Sequence, residues 1–415
     1  MMAGVEVEWR SDEVEHEHLH GRSGHAVVAL GHDDRALVFG GAVRGLCAED
    51  VLVVPPRGAS WRVPADGAAP ARRMAHTLCR LARSARAILF GGGDGKQLFA
   101  DVWELALAPA DFEPGGRARW AQIACRGEPP AARMGHAAAV LGEAERTLAL
   151  FGGFVKEAGH AVYTAELLLL DTASWQWARV ASVGAPVPGR LGSAGACCEG
   201  RAFFFGGSAA GHVFDDVHVL PVDDAPERAL AAVRASGSPT ARVHATCVVV
   251  AAAIVLIGGT TGGGEVADAL DVLDTATLSW SQPALERAPQ AWPLGVRPAR
   301  SKHGVALLRL DSRLAITADD TSSAASAGVE VRALVVVLGG VSSEASKHLD
   351  GRGSPLLLFV RVRAACSSRA ASSEALPEAS GAASGAAGPA VGPAVGPVAG
   401  PVSYTHLRAH ETDSY

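Results

Sequence analysis

The chain is poor in the residues that carry most catalytic and cross-linking chemistry. Its 415 residues include 7 Cys, 3 Tyr and 4 Met. The cysteines, at 47, 79, 125, 197, 198, 247 and 366, are odd in number, scattered and never spaced C-x-x-C. Neither a disulfide framework nor a zinc site is indicated, and a reducing compartment is expected, the cytoplasm first and the nucleus second. A basic block is also missing: 37 Lys and Arg stand against 43 Asp and Glu, for a net charge of -6. Binding to a phosphate backbone runs on counterion displacement by Lys and Arg, so nucleic acid is set aside as a partner. Long apolar runs are absent as well. The strongest, Ala245 to Gly259, holds thirteen residues before its glycines, whereas a spanning helix takes about 20, so no membrane insertion is expected. Residues 1 to 21 are rich in Glu and His and lack the basic start and apolar core of a secretory signal. No P-loop, dinucleotide fingerprint or nucleophile elbow occurs.

The C-terminal stretch is set apart by composition. Residues 364–400 thin to Ala, Ser, Gly and Pro, ending in GPAVGPAVGPVAGPV, without bulky apolar groups to offset ordering entropy, and are read as a disordered tail. Residues 401–415 begin PVSYTHLRAHET, which is the translation of a transposase sequencing adapter, and are read as not native.

What is abundant is a repeat. An apolar run ending in two glycines occurs six times, as LVFGG, ILFGG, LALFGG, FFFGG, VLIGG and VVVLGG. The glycine pairs are Gly40 and Gly41, Gly91 and Gly92, Gly152 and Gly153, Gly206 and Gly207, Gly258 and Gly259, and Gly339 and Gly340. Upstream of each lies an arginine, Arg22, Arg73, Arg133, Arg190, Arg242 or Arg300, followed in five units by a histidine, namely His25, His76, His136, His244 and His303. The fourth unit has Ser193 instead. Downstream comes a short apolar segment, often opened by Asp, and then Trp61, Trp120, Trp177 or Trp280.

This ordered Arg, glycine-pair and strand unit resembles the kelch-repeat family, whose period is about 50 residues, over residues 5–363. The resemblance implies an all-β fold, a six-bladed kelch β-propeller with four short strands per blade. In the third unit the strands are HAAAVL (136–141, strand a), TLALFGG (147–153, b), ELLLLD (166–171, c) and the segment around Trp177 (d). Their nearly unbroken apolarity fits sheets covered on both faces by neighbouring sheets, stacked radially around a channel. The glycines fit turns at the end of b.

Closure is legible at the N-terminus. The sixth unit has no Trp of its own, while Trp9 lies 13 residues before Arg22, the interval from Trp120 to Arg133 and from Trp177 to Arg190. VEVEWRS, residues 5–11, is therefore expected to be the outer strand of the last blade. Two places break the pattern. The fourth unit has no Trp, which leaves its outer strand in question. The sixth carries about twenty extra residues, 311–330, expected to form a polar, mobile loop.

Strands a and c run parallel, so the b–c loops share one face, at 42–49, 93–100, 154–164, 208–215, 260–268 and 341–354. These loops vary in length and chemistry while the strands do not, and kelch propellers generally bind protein segments there. The expected function is a non-catalytic scaffold holding a protein partner. Arg44, Lys96, Phe99, Phe154, Lys156, Tyr163, His212 and Phe214 are the candidate binding residues. The six arginines could instead form a cationic rim for an acidic peptide, but unpaired like charges would repel, and pairing with the acid that opens strand c is favoured. The repeated histidines are expected to be structural hydrogen-bonding groups. His16, His18 and His20 alternate as metal ligands on a strand would, yet no second cluster joins them, and a solvated connection is expected. No metal or cofactor is expected.

Propellers also host enzymes. A copper-radical oxidase needs two tyrosine ligands, and only Tyr163 precedes the adapter stretch. Sialidase Asp boxes are absent. The remaining alternatives are the kelch arm of a larger enzyme, such as a wybutosine-synthesising methyltransferase faintly resembled by 291–308, or an iron-dependent specifier protein.

Overall fold

A computed structural model describes residues 2–11, 19, 21–31, 34–55, 58–142, 144–180, 186–221, 231–233, 235–237, 239–267, 270–285, 304–315, 328–338 and 356–365. Residues 366–415, which hold most of the expected disordered tail and the expected adapter translation, lie outside these residues, as do Arg300, His303, Gly339, Gly340, His16, His18 and His20. Among the described residues, no helix is long and apolar enough to cross a membrane.

Six antiparallel sheets of the same a-b-c-d order follow one another along the chain. Blade one is Ala26–Ala29, Ala36–Phe39, Val51–Val54 and Trp61–Val63; blade two is Thr77–Leu81, Arg86–Phe90, Val102–Ala106 and Trp120–Ile123. Blade three is Ala137–Leu141, Thr147–Phe151, Leu167–Asp171 and Gln176–Val180. Blade four is Ala194–Cys198, Arg201–Phe205, Val217–Pro221 and Ala231–Val233, and blade five Thr246–Val250, Ala253–Ile257, Asp271–Asp274 and Ser279–Ser281. Blade six is Gly304–Ala315, Gly328–Leu338, Leu356–Ala365 and, as its fourth strand, Met2–Ser11. The inner strands abut in succession, and strand a of blade six abuts strand a of blade one, so the ring closes.

The burial pattern explains why these sequences take these places. Strand b is buried at every position in Ala36–Phe39 and Ala253–Ile257, and strand c in Val51–Val54. The central residues of strands b and c sit between two neighbouring blades and are covered on both faces. Strand a alternates, as in Ala137–Leu141, because it borders the channel, and strand d is exposed at most positions apart from its Trp, as in Gln176–Val180, because it is the outer edge. Unbroken apolarity is therefore a property of the middle strands.

The N-terminal strand fills the outer position of blade six by register. Val5 lies opposite Val362, Val7 opposite Val360, Trp9 opposite Leu358 and Ser11 opposite Leu356. Its outer side is bridged in parallel by the connection leaving blade five, with Ala284 opposite Glu6 and Leu285 opposite Val7. The same parallel bridge joins Ala65 to Ala118, Arg126 to Gln176 and Ser236 to Ser279 at other blade junctions. Met2–Ser11 thus occupies the place of an outer strand in both its contacts.

Two local expectations are corrected. Residues 311–315 and 328–330 are paired strand where a loop was expected, with Asp311 opposite Arg332 and Arg313 opposite Glu330, while 316–327 lie outside the described residues. Blade four does have an outer strand, Ala231–Val233, paired with Val217–Val219 without any aromatic. In blades two, three and five the outer-strand Trp packs on the phenylalanine ending strand b of the preceding blade: Trp120 on Phe39 at 5.0 Å, Trp177 on Phe90 at 5.4 Å and Trp280 on Phe205 at 5.4 Å. At the blade three–four junction Phe204 takes that role, 5.0 Å from Phe151, with His218 at 6.0 Å. Each such ring removes on the order of 150–250 Å² from water.

Candidate functional site

The repeated polar residues assemble into joints at the head of each blade. Arg22 is buried and donates to the Gly40 carbonyl at 2.6 Å and to both carboxylate oxygens of Asp50 at 2.8 and 3.0 Å. Arg73 repeats this with the Gly91 carbonyl at 3.0 Å and Asp101 at 2.7 and 2.8 Å, and adds the Ala71 carbonyl at 2.9 Å. Arg133 holds the Gly152 carbonyl at 3.1 Å and Glu166 at 2.6 Å. Arg190 holds the Gly206 carbonyl at 3.0 Å and Asp216, and Arg242 the Gly258 carbonyl at 3.1 Å and Asp271. All five described arginines are consumed by the acid opening strand c and by the first glycine's carbonyl, so the cationic-rim reading is overturned. Burial alone would raise the carboxyls of Asp50, Asp101 and Glu166, but hydrogen bonds and charge from the arginines outweigh it and hold all three below the usual carboxylate range.

The glycine pairs are the hinge points between blades. A Cβ on Gly40 would stand 2.7 Å from the Arg73 carbonyl oxygen and 2.8 Å from the His76 ring of the next blade, while one on Gly41 would meet His25 of its own blade at 2.7 Å. Both residues have positive φ, 65° and 88°, so a side chain is opposed by conformation and by space. The second glycine's N–H then donates to the next blade's arginine carbonyl, from Gly41 to Arg73 at 2.8 Å and from Gly92 to Arg133 at 2.8 Å.

The described histidines pack as well as hydrogen-bond. His76 packs edge-on against Phe39 at 5.4 Å and His136 against Phe90 at 5.1 Å. His136 also shares a 2.9 Å hydrogen bond with Thr77, but packing is what the two rings have in common. Burial, reinforced by the Arg133 charge, pushes the His136 pKa down to about 3, and burial with the charges of Arg73, His25 and His136 pushes His76 well below its ordinary value. His244 is out of register. Ala245 occupies the position of His25 and His136, 3.0 Å from a Cβ on Gly259, while His244 sits at φ 57° where Gly24, Gly135 and Gly192 sit at 65°, 66° and 69°. Ala75 fills that position in blade two, at φ 53°.

This left-handed position forms a feature not evident from the repeat alone. Its N–H donates around the ring to the same position of the preceding blade: Ala75 to Gly24 at 2.7 Å, Gly135 to Ala75 at 2.8 Å, Gly192 to Gly135 at 2.7 Å and His244 to Gly192 at 2.8 Å. The residue before it, Ser23, Met74, Met134, Leu191 or Val243, bridges to the b–c loop of its own blade. The positive φ signature R-x-G-H, once aligned, was the signal that could have found it.

The b–c loops adjoin one another on this face. Cys47 Sγ lies 3.8 Å from the Gly93 carbonyl oxygen, and Met134 Sδ 3.3 Å from a Cβ on Gly93. Three loops carry small hairpins, Ala42–Val43 with Leu46–Cys47, Phe154–Glu157 with His160–Tyr163, and Ser208–Ala209 with His212–Val213. Of the candidates, Arg44, Lys96, Lys156, Tyr163 and His212 are exposed on these loops. Phe99 and Phe214 are half-buried and carry the stacked guanidinium groups of Arg73 at 4.2 Å and Arg190 at 3.9 Å, and half-buried Phe154 meets Tyr163 edge-on at 6.2 Å. Leu46, 74% exposed at a hairpin tip, escaped the sequence reading because only the hairpin turn projects it. No cluster of three metal-ligating side chains occurs among the described residues.

Six four-stranded sheets in a closed ring, with an Arg–acid–glycine joint in blades one to five among the described residues, make a β-propeller. Residues 5–142 match the model of the KLHDC2/KLHL20/DRC7 Kelch-repeats domain, and the same joint runs on through blade five. The chain is similar to acyl-CoA-binding domain-containing proteins 4 and 5 of Arabidopsis thaliana, each at 31% identity over 189 residues. That is 45% of this chain and 25% and 26% of theirs. It is also similar to tip elongation aberrant protein 1 of Schizosaccharomyces pombe, 30% identical over 130 residues, 31% of this chain and 10% of that protein. The chain thus spans about a quarter or less of the curated relatives it matches.

Proposed function

We propose that the protein is a non-catalytic scaffold that holds a protein partner on its b–c loop face, in the cytoplasm. One observation carries the reading. The repeated charged groups are spent inside the blade joints, whereas the loops above them differ from blade to blade and present exposed side chains such as Arg44, Leu46, Lys96, Lys156 and Tyr163. A rigid frame bearing unlike loops suits recognition. The test is crosslinking mass spectrometry on complexes of the full chain isolated from cells. Crosslinks concentrated on the b–c loops are expected, and crosslinks confined to the a–b and c–d turns would move the site to the opposite face.

A second reading is that the propeller is one arm of a larger enzyme. The acyl-CoA-binding relatives, much longer than the matched segment, support a place in a longer protein but are named for binding, not catalysis. Isothermal titration of the full chain with palmitoyl-CoA, and metal analysis for copper and iron, separate the readings, and no stoichiometric binding of either kind is expected.

A further inference from the structure

The a–b turn of blade two carries arginines that neither the blade joints nor the b–c loops use. Strand a ends at Leu81, a 3-10 turn Ala82–Ser84 follows, and Ala85, at φ 47°, leads into Arg86 at the start of strand b. None of the three turn residues is buried, and the turn lies on the face opposite the b–c loops. Arginines stand four residues before Ser84, one before it and two after it, as Arg80, Arg83 and Arg86.

Ser84 is already engaged by this cluster. Its Oγ accepts a hydrogen bond from Arg86 Nε at 3.1 Å, while Glu104 holds Arg86 by Nη1 at 2.6 Å. The edge of the guanidinium turned to the hydroxyl is therefore the Nε edge, and such an edge clamps two oxygens of a phosphate. Arg83 is exposed, and its guanidinium makes no ion pair among the described residues. Arg80 is half-buried against Gly31, and its enclosed Nε has no hydrogen-bond partner. Two acids adjoin the turn. Glu104 is committed to Arg86, and Glu145 of blade three accepts the Arg83 N–H at 2.8 Å. Hydroxyls on other turns of this face stand beside carboxylates instead. Ser174 Oγ donates to Asp171 at 2.9 Å, and Thr277 Oγ1 shares a hydrogen with Ser279 on a turn whose N–H groups are gathered by Asp274. A phosphate at those positions would meet a like charge.

We propose that Ser84 is the acceptor of a basic-directed serine/threonine kinase and that the resulting phosphoserine is received by the Nε edge of Arg86 and by Arg83. In the transfer Ser84 Oγ bonds to the γ-phosphorus of MgATP as the bond from that phosphorus to the bridging oxygen breaks. ADP leaves, and the hydroxyl proton passes to the kinase's catalytic carboxylate. The arginines thus act twice, first as the charges that an acidic substrate cleft recognises and then as donors to the product. The product adds about −1.5 to −2 charges at pH 7. That charge arises beside Glu145, so the tie between the turns of blades two and three through the Arg83 N–H should weaken. The b–c loops take no part.

Two experiments on the full chain test this. In the first, the protein is incubated with MgATP and the catalytic domain of protein kinase A or C, and sites are mapped by tandem mass spectrometry. Ser84 is expected to be the principal site in the folded protein, and Arg83→Ala should slow its modification at least fivefold. In the second, phosphoserine is installed at position 84 during translation, which needs no kinase, and the phosphate is titrated by phosphorus NMR. Its second pKa, ordinarily about 6, should fall by half a unit or more relative to the same chain unfolded in urea. Arg86→Ala should remove most of that shift, and Arg44→Ala, on the opposite face, should leave it. Amide exchange at Arg83 should be faster in the phosphorylated chain, and thermal melts confirm that the variants are folded. Modification chiefly at other sites by both kinases overturns Ser84 as the acceptor. A phosphate that titrates as in the unfolded chain, or that ignores Arg86→Ala, overturns the receiving arginines. Neither failure touches the scaffold reading, which stands on its own crosslinking test.

Discussion

Removing Arg73 should destabilise the propeller far more than removing any arginine on its surface. Its guanidinium is fully buried, stacks over Phe99 at 4.2 Å and donates to Gly91, Ala71 and both oxygens of Asp101. Arg73→Ala leaves two carbonyls without that donor and a carboxylate, 20% exposed, without its countercharge. Breaking one side of a buried pair costs about 3–5 kcal/mol. Asp101 keeps some water and the Trp103 N–H at 2.7 Å, which places the expectation near the lower end, about 3 kcal/mol. The neighbouring Arg72, 62% exposed and 3.8 Å from Glu49, should cost less than about 1 kcal/mol when truncated. Urea unfolding followed by tryptophan fluorescence and by circular dichroism checks both. Two probes guard against stepwise blade unfolding. With a slope of about 3 kcal/mol/M, Arg73→Ala should move the midpoint by about 1 M. Adding Asp101→Asn should recover part of the loss, because the orphaned charge is then gone. Equal midpoints for the Arg72 and Arg73 variants would refute the account of the joints.

Other outcomes follow from the same contacts. Gly91→Ala meets the Arg133 carbonyl at 2.8 Å at a φ of 66° and should lower the melting temperature by several degrees, whereas Gly95→Ala, at φ 88° but in open space, should cost only about 1–2 kcal/mol of backbone strain. Acid should act in two stages in a pH series of melts. His136 and His76 have folded pKa values below the ordinary 6.5, so their contribution is complete above that value and is lost as pH falls from there toward about 3, where folded His136 protonates. The lowered carboxyls of Asp50 and Asp101, reference 3.8, add a further loss below that reference, and a melting temperature unchanged between pH 7 and 5 would contradict the buried neutral rings. Deleting residues 2–11 removes the partner of Leu356–Ala365 and should expose blade six to limited proteolysis before blades two and three. Native-state titration with a thiol reagent should leave Cys79 and Cys247 silent, since burial pushes both up to about 12.

Much of the architecture is local and so was readable in one dimension. Six glycine pairs, the strand-length apolar runs before them and the recurring tryptophans are periodic features of the chain, and period alone counts blades. The interval from Trp9 to Arg22 even identified the closing strand, because each outer strand precedes the next blade's arginine by a similar length of chain. The matching acids were also within reach, since they open strand c. What sequence could not supply was the outcome of competition among contacts far apart in the chain. Whether Arg73 is free or spent depends on Asp101, 28 residues away, reaching it across a folded sheet. His244 resembles the other histidines by neighbourhood, yet backbone conformation assigns it to the glycine position and Ala245 to the histidine's. Phe204 replaces a missing tryptophan only because two blades press it against Phe151. Periodicity determines which residues are equivalent, and tertiary packing decides which of them remain available to a partner, because availability is set by burial and by countercharges supplied from elsewhere in the chain.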